Sequence, residues 1–220
     1  MIVQNIKNIL DTVPSNVTLV AVSKTKPKEL LMEAYDAGIR VFGENKALEM
    51  RDKADVLPKN IEWHFIGHLQ TNKVKYIAAY VKMIHSVDSL KILKEINKRA
   101  KALDRIIDCL LEFYIAEEES KFGLTLDNVD TILASSEFYA MENIRICGVM
   151  GMASYTSDEA KVRREFHHLH NIYNMLKGKY FSSSSYFKEI SMGMSGDYRI
   201  AIEEGSTMVR VGSSIFGSRY

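Results

Sequence analysis

Apolar positions along the chain switch between two periods. Short runs of β-branched and aromatic residues recur, and a longer stretch with helical spacing follows each. Residues 17–22 (VTLVAV) are the first run, leading to a helix over 27–37 with Pro27 in its first turn. Residues 40–42 precede a helix over 45–54, and 62–66 (EWHFI) precede one over about 71–79. Residues 83–86 lead into a long helix over 88–102, where Asp88 or Ser89 suits the N-cap. Residues 106–115 precede a helix over 126–135, and 144–150 precede a charged amphipathic helix over 157–176. A Ser-rich segment, 181–187 (FSSSSYF), reads as a surface loop. Residues 187–192 lead to a short helix over 197–204, and 207–211 form the eighth run.

Eight strands alternating with helices imply parallel strands joined by crossovers. Eight such units in 220 residues fit a closed (β/α)8 TIM barrel better than an open doubly wound sheet. An open sheet would carry a Gly-rich phosphate turn after its first strand, and no GxGxxG is present. One domain over residues 1–220 is expected, because barrels of about 200–250 residues run undivided.

Composition narrows the function classes. Lys plus Arg (29) nearly balances Asp plus Glu (28), a formal net charge of +1, so no broad footprint for nucleic acid or an anionic membrane is expected. No apolar run approaches the roughly 20 residues of a membrane helix. Residues 1–10 (MIVQNIKNIL) contain a Lys and no cleavage-like site, which argues against a signal peptide. Cys109 and Cys147 lie in apolar runs and read as small core residues, not as a disulfide or metal pair. The expectation is a globular protein of the cytoplasm.

Function in such a barrel gathers where the strands end. Lys24 follows TLVAV and one Ser, which puts its amine at the mouth. Two readings stay open: a desolvated, nucleophilic amine suited to imine chemistry, or a loop lysine paired with a carboxylate. Ser195 and Gly196 open the short helix after the seventh run, and Gly212-Ser213-Ser214 follow the eighth. Small residues there leave backbone N–H groups uncovered for an anion, or serve as ordinary turns. Arg210, between Val209 and Val211, alternates to the face opposite its neighbours, pointing into the barrel or pairing with Glu203 or Glu204. His64 and His68 span a strand end and would not face one metal; His167, His168 and His170 read as a solvated helix face. No metal is assigned.

Six segments in order carry a resemblance: LVAVSKTKP (19–27), FGEN (42–45), WHFIGHLQTNK (63–73), HSVDS (85–89), ISMGMSGD (190–197) and GSTMVRVGSSIFG (205–217). Together they resemble the pyridoxal-phosphate homeostasis proteins, single-domain relatives of the alanine racemase barrel. The resemblance implies a barrel holding pyridoxal 5′-phosphate (PLP) as a Schiff base on Lys24. Ser195 matches the phosphate-binding serine, Gly212 and Ser213 match the backbone donors to the phosphate, and Arg210 matches the arginine that faces the pyridine nitrogen. Asn45 and His85 match positions near the ring. A fixed cation at that nitrogen disfavours its protonation and weakens the ring as an electron sink.

Racemases of this type take a second base, a Tyr, from an extra C-terminal β-domain, and this sequence stops at Tyr220. The implied role is storage, buffering or delivery of PLP without established turnover. A PLP-dependent amino-acid racemase is the alternative, and a module that reports PLP status to a protein partner is a third reading. PLP-dependent apo-enzymes are the implied partners, with the chain a monomer or weak dimer. Lys73 and Lys121 are candidates for a second, transient PLP contact. Lys46-Ala47-Leu48, GVMGMASYT in the sixth strand region and a short segment between Asn5 and Val17, leaving a reduced first helix, depart from the family pattern.

Overall fold

Eight parallel strands hydrogen-bond in sequence order and close on themselves, the first pairing with the eighth. The computed structural model describes residues 1–116 and 123–217. The strands are β1 (Thr18–Val22), β2 (Val41–Glu44), β3 (Glu62–Phe65), β4 (Met83–Val87), β5 (Ile107–Phe113), β6 (Ile144–Gly151), β7 (Glu189–Met194) and β8 (Met208–Val211). Around them run α1 (Ile2–Leu10), α2 (Lys28–Asp36), α3 (Ala47–Val56), α4 (Leu90–Lys101), α5 (Leu126–Leu133), α6 (Ser136–Tyr139), α7 (Glu159–Lys179), α8 (Tyr198–Glu203) and α9 (Ser213–Phe216). The expected barrel is therefore present, with strand positions close to those read from the periodicity.

The differences have local causes. The helix expected over about 71–79 is a shorter 3-10 helix, Thr71–Tyr76, wound at about three residues per turn. Ser89 caps α4 by accepting from the Ile92 N–H at 3.4 Å, while Asp88 turns to His68. Helix α1 has nine residues and buries Ile2, Ile6 and Ile9, the spacing of one apolar stripe. The serines of the 181–187 loop face outward, except the half-buried Ser184, but Phe181 and Phe187 at its ends are buried and stack 4.2 Å apart. That stacked pair holds the loop down.

Alternation along the strands sorts side chains into two compartments. Outward positions such as Ala21, Phe42, Phe65, Ile84, Leu111, Val149 and Val209 meet the helices in one continuous apolar shell. Phe166, Leu169 and Leu176 of α7 lie in that shell, fully shielded. Inward positions form a separate apolar group, Met83, Leu110, Cys147, Met150 and Met208. Toward the strand C-termini the same inward face turns polar: His64, His85, Glu112, Ser191 and Arg210 are all buried. A barrel interior normally fills with branched apolar side chains. A polar upper layer departs from that pattern and lies directly beneath the mouth. Cys109 and Cys147 are both buried and free, and burial pushes the Cys147 thiol up to about 12. No helix among the described residues is long and apolar enough to cross a membrane.

Candidate functional site

A cavity of about 830 Å3 opens at the C-terminal ends of the strands. Lys24, Asn45, Ser195, Arg210, Gly212 and Ser213 all line it, together with Lys26, Met152, Tyr155 and Asp197, which the sequence did not single out. His85 does not reach the cavity; it is wholly buried in the polar layer below. Lys73 lies on the 3-10 helix, 5.7 Å from the Tyr76 ring, and does not line the cavity. Lys121 falls outside the described residues.

Lys24 stands in a tight turn. The Lys26 N–H donates to the Ser23 carbonyl at 3.1 Å, so Lys24 and Thr25 are the turn's two central residues. Thr25 has φ +65°, the left-handed region. This is the pattern of a type II turn, which favours glycine at that position. A β-branched residue there costs about 1–2 kcal/mol. Charged side chains from the neighbouring unit hold both ends of the strained pair. Glu49 Oε1 accepts the Thr25 N–H at 2.5 Å, and the Lys53 ammonium donates to the Ser23 carbonyl at 2.8 Å. Lys53 also donates to Glu44 and Glu49, at 2.7 and 2.8 Å, and Ser23 Oγ donates to Glu44 at 2.6 Å. Glu44 is fully buried, and burial raises its pKa against the opposing pull of Lys53. Glu49 and Lys53 sit four residues apart on α3, on one helix face, and that spacing was the sequence signal for these two members of the cluster.

The adjoining wall, after β7 and β8, is built from backbone. The N–H groups of Gly212 and Ser214 both point at Ser195 Oγ, at 3.2 and 3.5 Å. Ser213 and Ser214 both line the cavity beside this cluster. A Cβ on Gly212 would lie 3.1 Å from the Val22 carbonyl oxygen, so glycine lets this loop close against β1. Gly193, at φ +93°, would bring a Cβ within 2.6 Å of Ala201, and its absence lets α8 pack against the end of β7. Asp197 accepts the Met194 N–H at 2.5 Å and fixes the turn that carries Ser195. Lys26 ties the walls together by donating to the carbonyls of Phe216 and Gly217, at 3.2 and 3.0 Å.

Arg210 points into the barrel. Its guanidinium donates to Ser191 Oγ at 2.6 Å and to the Gly151 carbonyl at 3.0 Å. The alternative partners, Glu203 and Glu204, lie at the C-terminal end of α8 and are engaged by Arg163 on α7. Beneath Arg210 a chain continues: Ser191 Oγ to His85 Nδ1 at 2.9 Å, and His85 Nε2 to His64 Nδ1 at 2.9 Å. With Arg210 donating to Ser191, both contacts are satisfied if Ser191 donates to His85 and His85 to His64; these proton positions are assigned from the donor pattern. Burial depresses His64 to about 3 and holds His85 well below its ordinary range, aided by His64 and Arg210. Arg210 itself is lowered to about 10 by burial and stays charged at neutral pH. Glu112, buried with Oε2 unpartnered among the described residues, is raised to about 7 by burial, with Arg210 opposing.

The outer histidines do other work. His68 Nδ1 lies 3.3 Å from Asp88, and His167 contacts Glu204 at 3.2 Å. Among the described residues no cluster of His, Cys, Asp or Glu could hold a metal.

A family model described as the N-terminal domain of alanine racemase matches residues 1–220. A pyridoxal phosphate homeostasis protein of Aquifex aeolicus is 38% identical over 204 residues, covering 91% of this chain and 86% of the relative. The chain belongs to the pyridoxal phosphate homeostasis protein family. PipY of Synechococcus elongatus, solved with PLP bound, is 30% identical to this family member with a TM-score of 0.89, over 99% of this chain and all of that one. Alanine racemase of Bartonella henselae, solved with covalently bound PLP, is 15% identical with a TM-score of 0.72 and shares the fold alone. This family member spans 58% of that racemase chain.

Proposed function

We propose that this chain binds PLP at the barrel mouth, held by Lys24, and stores, buffers or delivers it inside the cell without turnover of its own. The observation that carries this reading is the pairing of a lysine on one wall with convergent backbone donors on the other. The donor set suits the group: Gly212 N–H, Ser214 N–H and the Ser195 hydroxyl fit a phosphate, and Lys24 fits an aldehyde. Asn45 Oδ1 is buried at the cavity wall without a partner among the described residues, which leaves an acceptor for a polar ring substituent.

Bound PLP would supply an aldehyde that condenses reversibly with a primary amine, so a second amine or water can release it again. The residues around it do the rest. Lys24 presents its amine from a turn fixed at both ends. Ser195 and the two N–H groups orient the phosphate end. Arg210 keeps its charge and, through the Gly151 and Ser191 contacts, a fixed direction; a cation aimed at a ring nitrogen opposes protonation there. The histidines of the layer below, His64 and His85, are held neutral and carry no spare proton. Retention and release fit this arrangement better than carbanion chemistry.

The test is exchange against turnover. PLP-loaded protein is mixed with an excess amine or an apo-enzyme, and separately with alanine in heavy water. Stoichiometric release of PLP with no α-deuterium in the alanine is the expected result. Sustained α-deuteration or racemisation would replace this reading with a racemase.

A further inference from the structure

We propose that Glu49, Lys53 and Glu44 are positioning residues that set how long Lys24 retains PLP, by holding the strained Ser23–Lys26 turn in the one shape that aims Lys24 at the cavity. The inference rests on the reading of Lys24 as the PLP-bearing lysine and adds a control element to it.

Thr25 occupies a conformation that L side chains, and β-branched ones most of all, rarely adopt. Such a residue persists only where its surroundings over-determine it, and it marks sites where geometry is part of function. The surroundings here are specific. One carboxylate oxygen, Glu49 Oε1, takes both the Thr25 N–H and the Lys53 ammonium. The same ammonium reaches the Ser23 carbonyl and Glu44 Oε1, and Glu44 takes the Ser23 hydroxyl. The backbone on either side of Lys24 is thus gripped by one three-residue ionic cluster whose charges are mostly shielded from water. Removing one member frees the turn to relax toward ordinary dihedrals, which swings the lysine off line. A general fold-stabilising role would place these bonds anywhere along β1 or α3; they converge on the two residues that flank Lys24.

The experiment compares wild type, Glu49→Ala, Glu49→Gln, Thr25→Gly and the double variant Glu49→Ala/Thr25→Gly. Each is loaded with PLP, and the decay of its visible band is followed after adding excess hydroxylamine. Amide hydrogen exchange over residues 23–26 is measured on the PLP-free proteins. Borohydride reduction with peptide mapping confirms attachment at Lys24 in wild type. In Glu49→Ala, PLP release is expected to quicken by about tenfold, the scale of one charge-assisted hydrogen bond, and exchange at Thr25 to rise in parallel. Glu49→Gln, which keeps an acceptor, is expected to release PLP at a rate between those two. Glycine adopts φ +65° without a steric penalty, so Thr25→Gly is expected to restore retention to Glu49→Ala. A merely structural role would not be rescued this way. If wild type carries PLP on Lys24 yet Glu49→Ala releases it at the wild-type rate, the inference fails. It also fails if Glu49→Gln is as fast as Glu49→Ala, or if Thr25→Gly rescues nothing. If wild type itself takes no PLP on Lys24, the underlying reading of the site fails instead.

Discussion

The wall that carries Lys24 is gripped by charged side chains, whereas the wall beside it, after β7 and β8, is made of backbone N–H groups on small residues. The first wall holds a strained turn through Glu49, Lys53 and Glu44, and each of these bonds depends on a side chain that one substitution removes. The second wall needs only that Gly212, Ser214 and Ser195 keep their backbone course, which Asp197 and the close approach to Val22 secure. An anion cradle of that kind is fixed once the barrel forms. The lysine wall depends on side chains, so the proposed control of PLP retention acts there and not in the cradle.

The sharpest break of the comparison is Lys24→Ala, which removes the only feature the backbone wall has no means to replace. PLP affinity is expected to fall by at least about a hundredfold while thermal stability changes little, read from the visible spectrum and a melting curve. Arg210→Leu reaches both walls from below. It withdraws the cation that opposes the rise of the Glu112 pKa and leaves Ser191 one donor short. We expect a stability loss of about 2–3 kcal/mol by denaturant titration, and a Glu112 titration moved above about 7.

The layer beneath also predicts a pH dependence. Below pH 6.5 the unfolded chain takes up a proton at His64 that the folded chain refuses until about pH 3, so this group's contribution falls as the pH drops through that window. His85 acts in the same sense. Glu112 opposes them: between its ordinary 4.5 and about 7 the folded state keeps a proton the unfolded state has lost, so its contribution rises on acidification there. His64→Gln is expected to recover about 1–2 kcal/mol of the loss between pH 6.5 and 5, measured by melting temperature across pH. The smallest effects belong to the backbone wall. Gly212→Val, which forces a branched side chain against Val22, should weaken PLP binding by about tenfold, and Ser195→Ala by only about threefold, because the N–H donors remain.

The same contrast explains what the sequence could and could not show. The barrel was legible because alternating β and α periods survive in short runs, and the backbone wall was legible because Gly and Ser cluster after the seventh and eighth strands. Arg210 followed from alternation between Val209 and Val211. The grip on Lys24 was not legible in the same way. Glu49 and Lys53 read as an ordinary i,i+4 pair on α3, and nothing local says that their ammonium and carboxylate reach back to the end of β1. Thr25 gave no hint of a left-handed turn, because its sequence lacks the glycine that usually announces one. His85 matched a position near the ring by its motif, but the structure sets it one layer deeper, where Ser191 intervenes between it and Arg210. Ser191 was missed, and His64 was weighed only as a metal ligand, because burial of polar groups inside a barrel depends on strands far apart in sequence.

The central claim is that PLP attaches to Lys24. Purified protein, loaded with PLP, is reduced with borohydride, digested and mapped by mass spectrometry. One phosphopyridoxyl group is expected, on the peptide containing Lys24, with loss of the visible band on reduction. Modification spread over surface lysines such as Lys73, with Lys24 unlabelled, would contradict it.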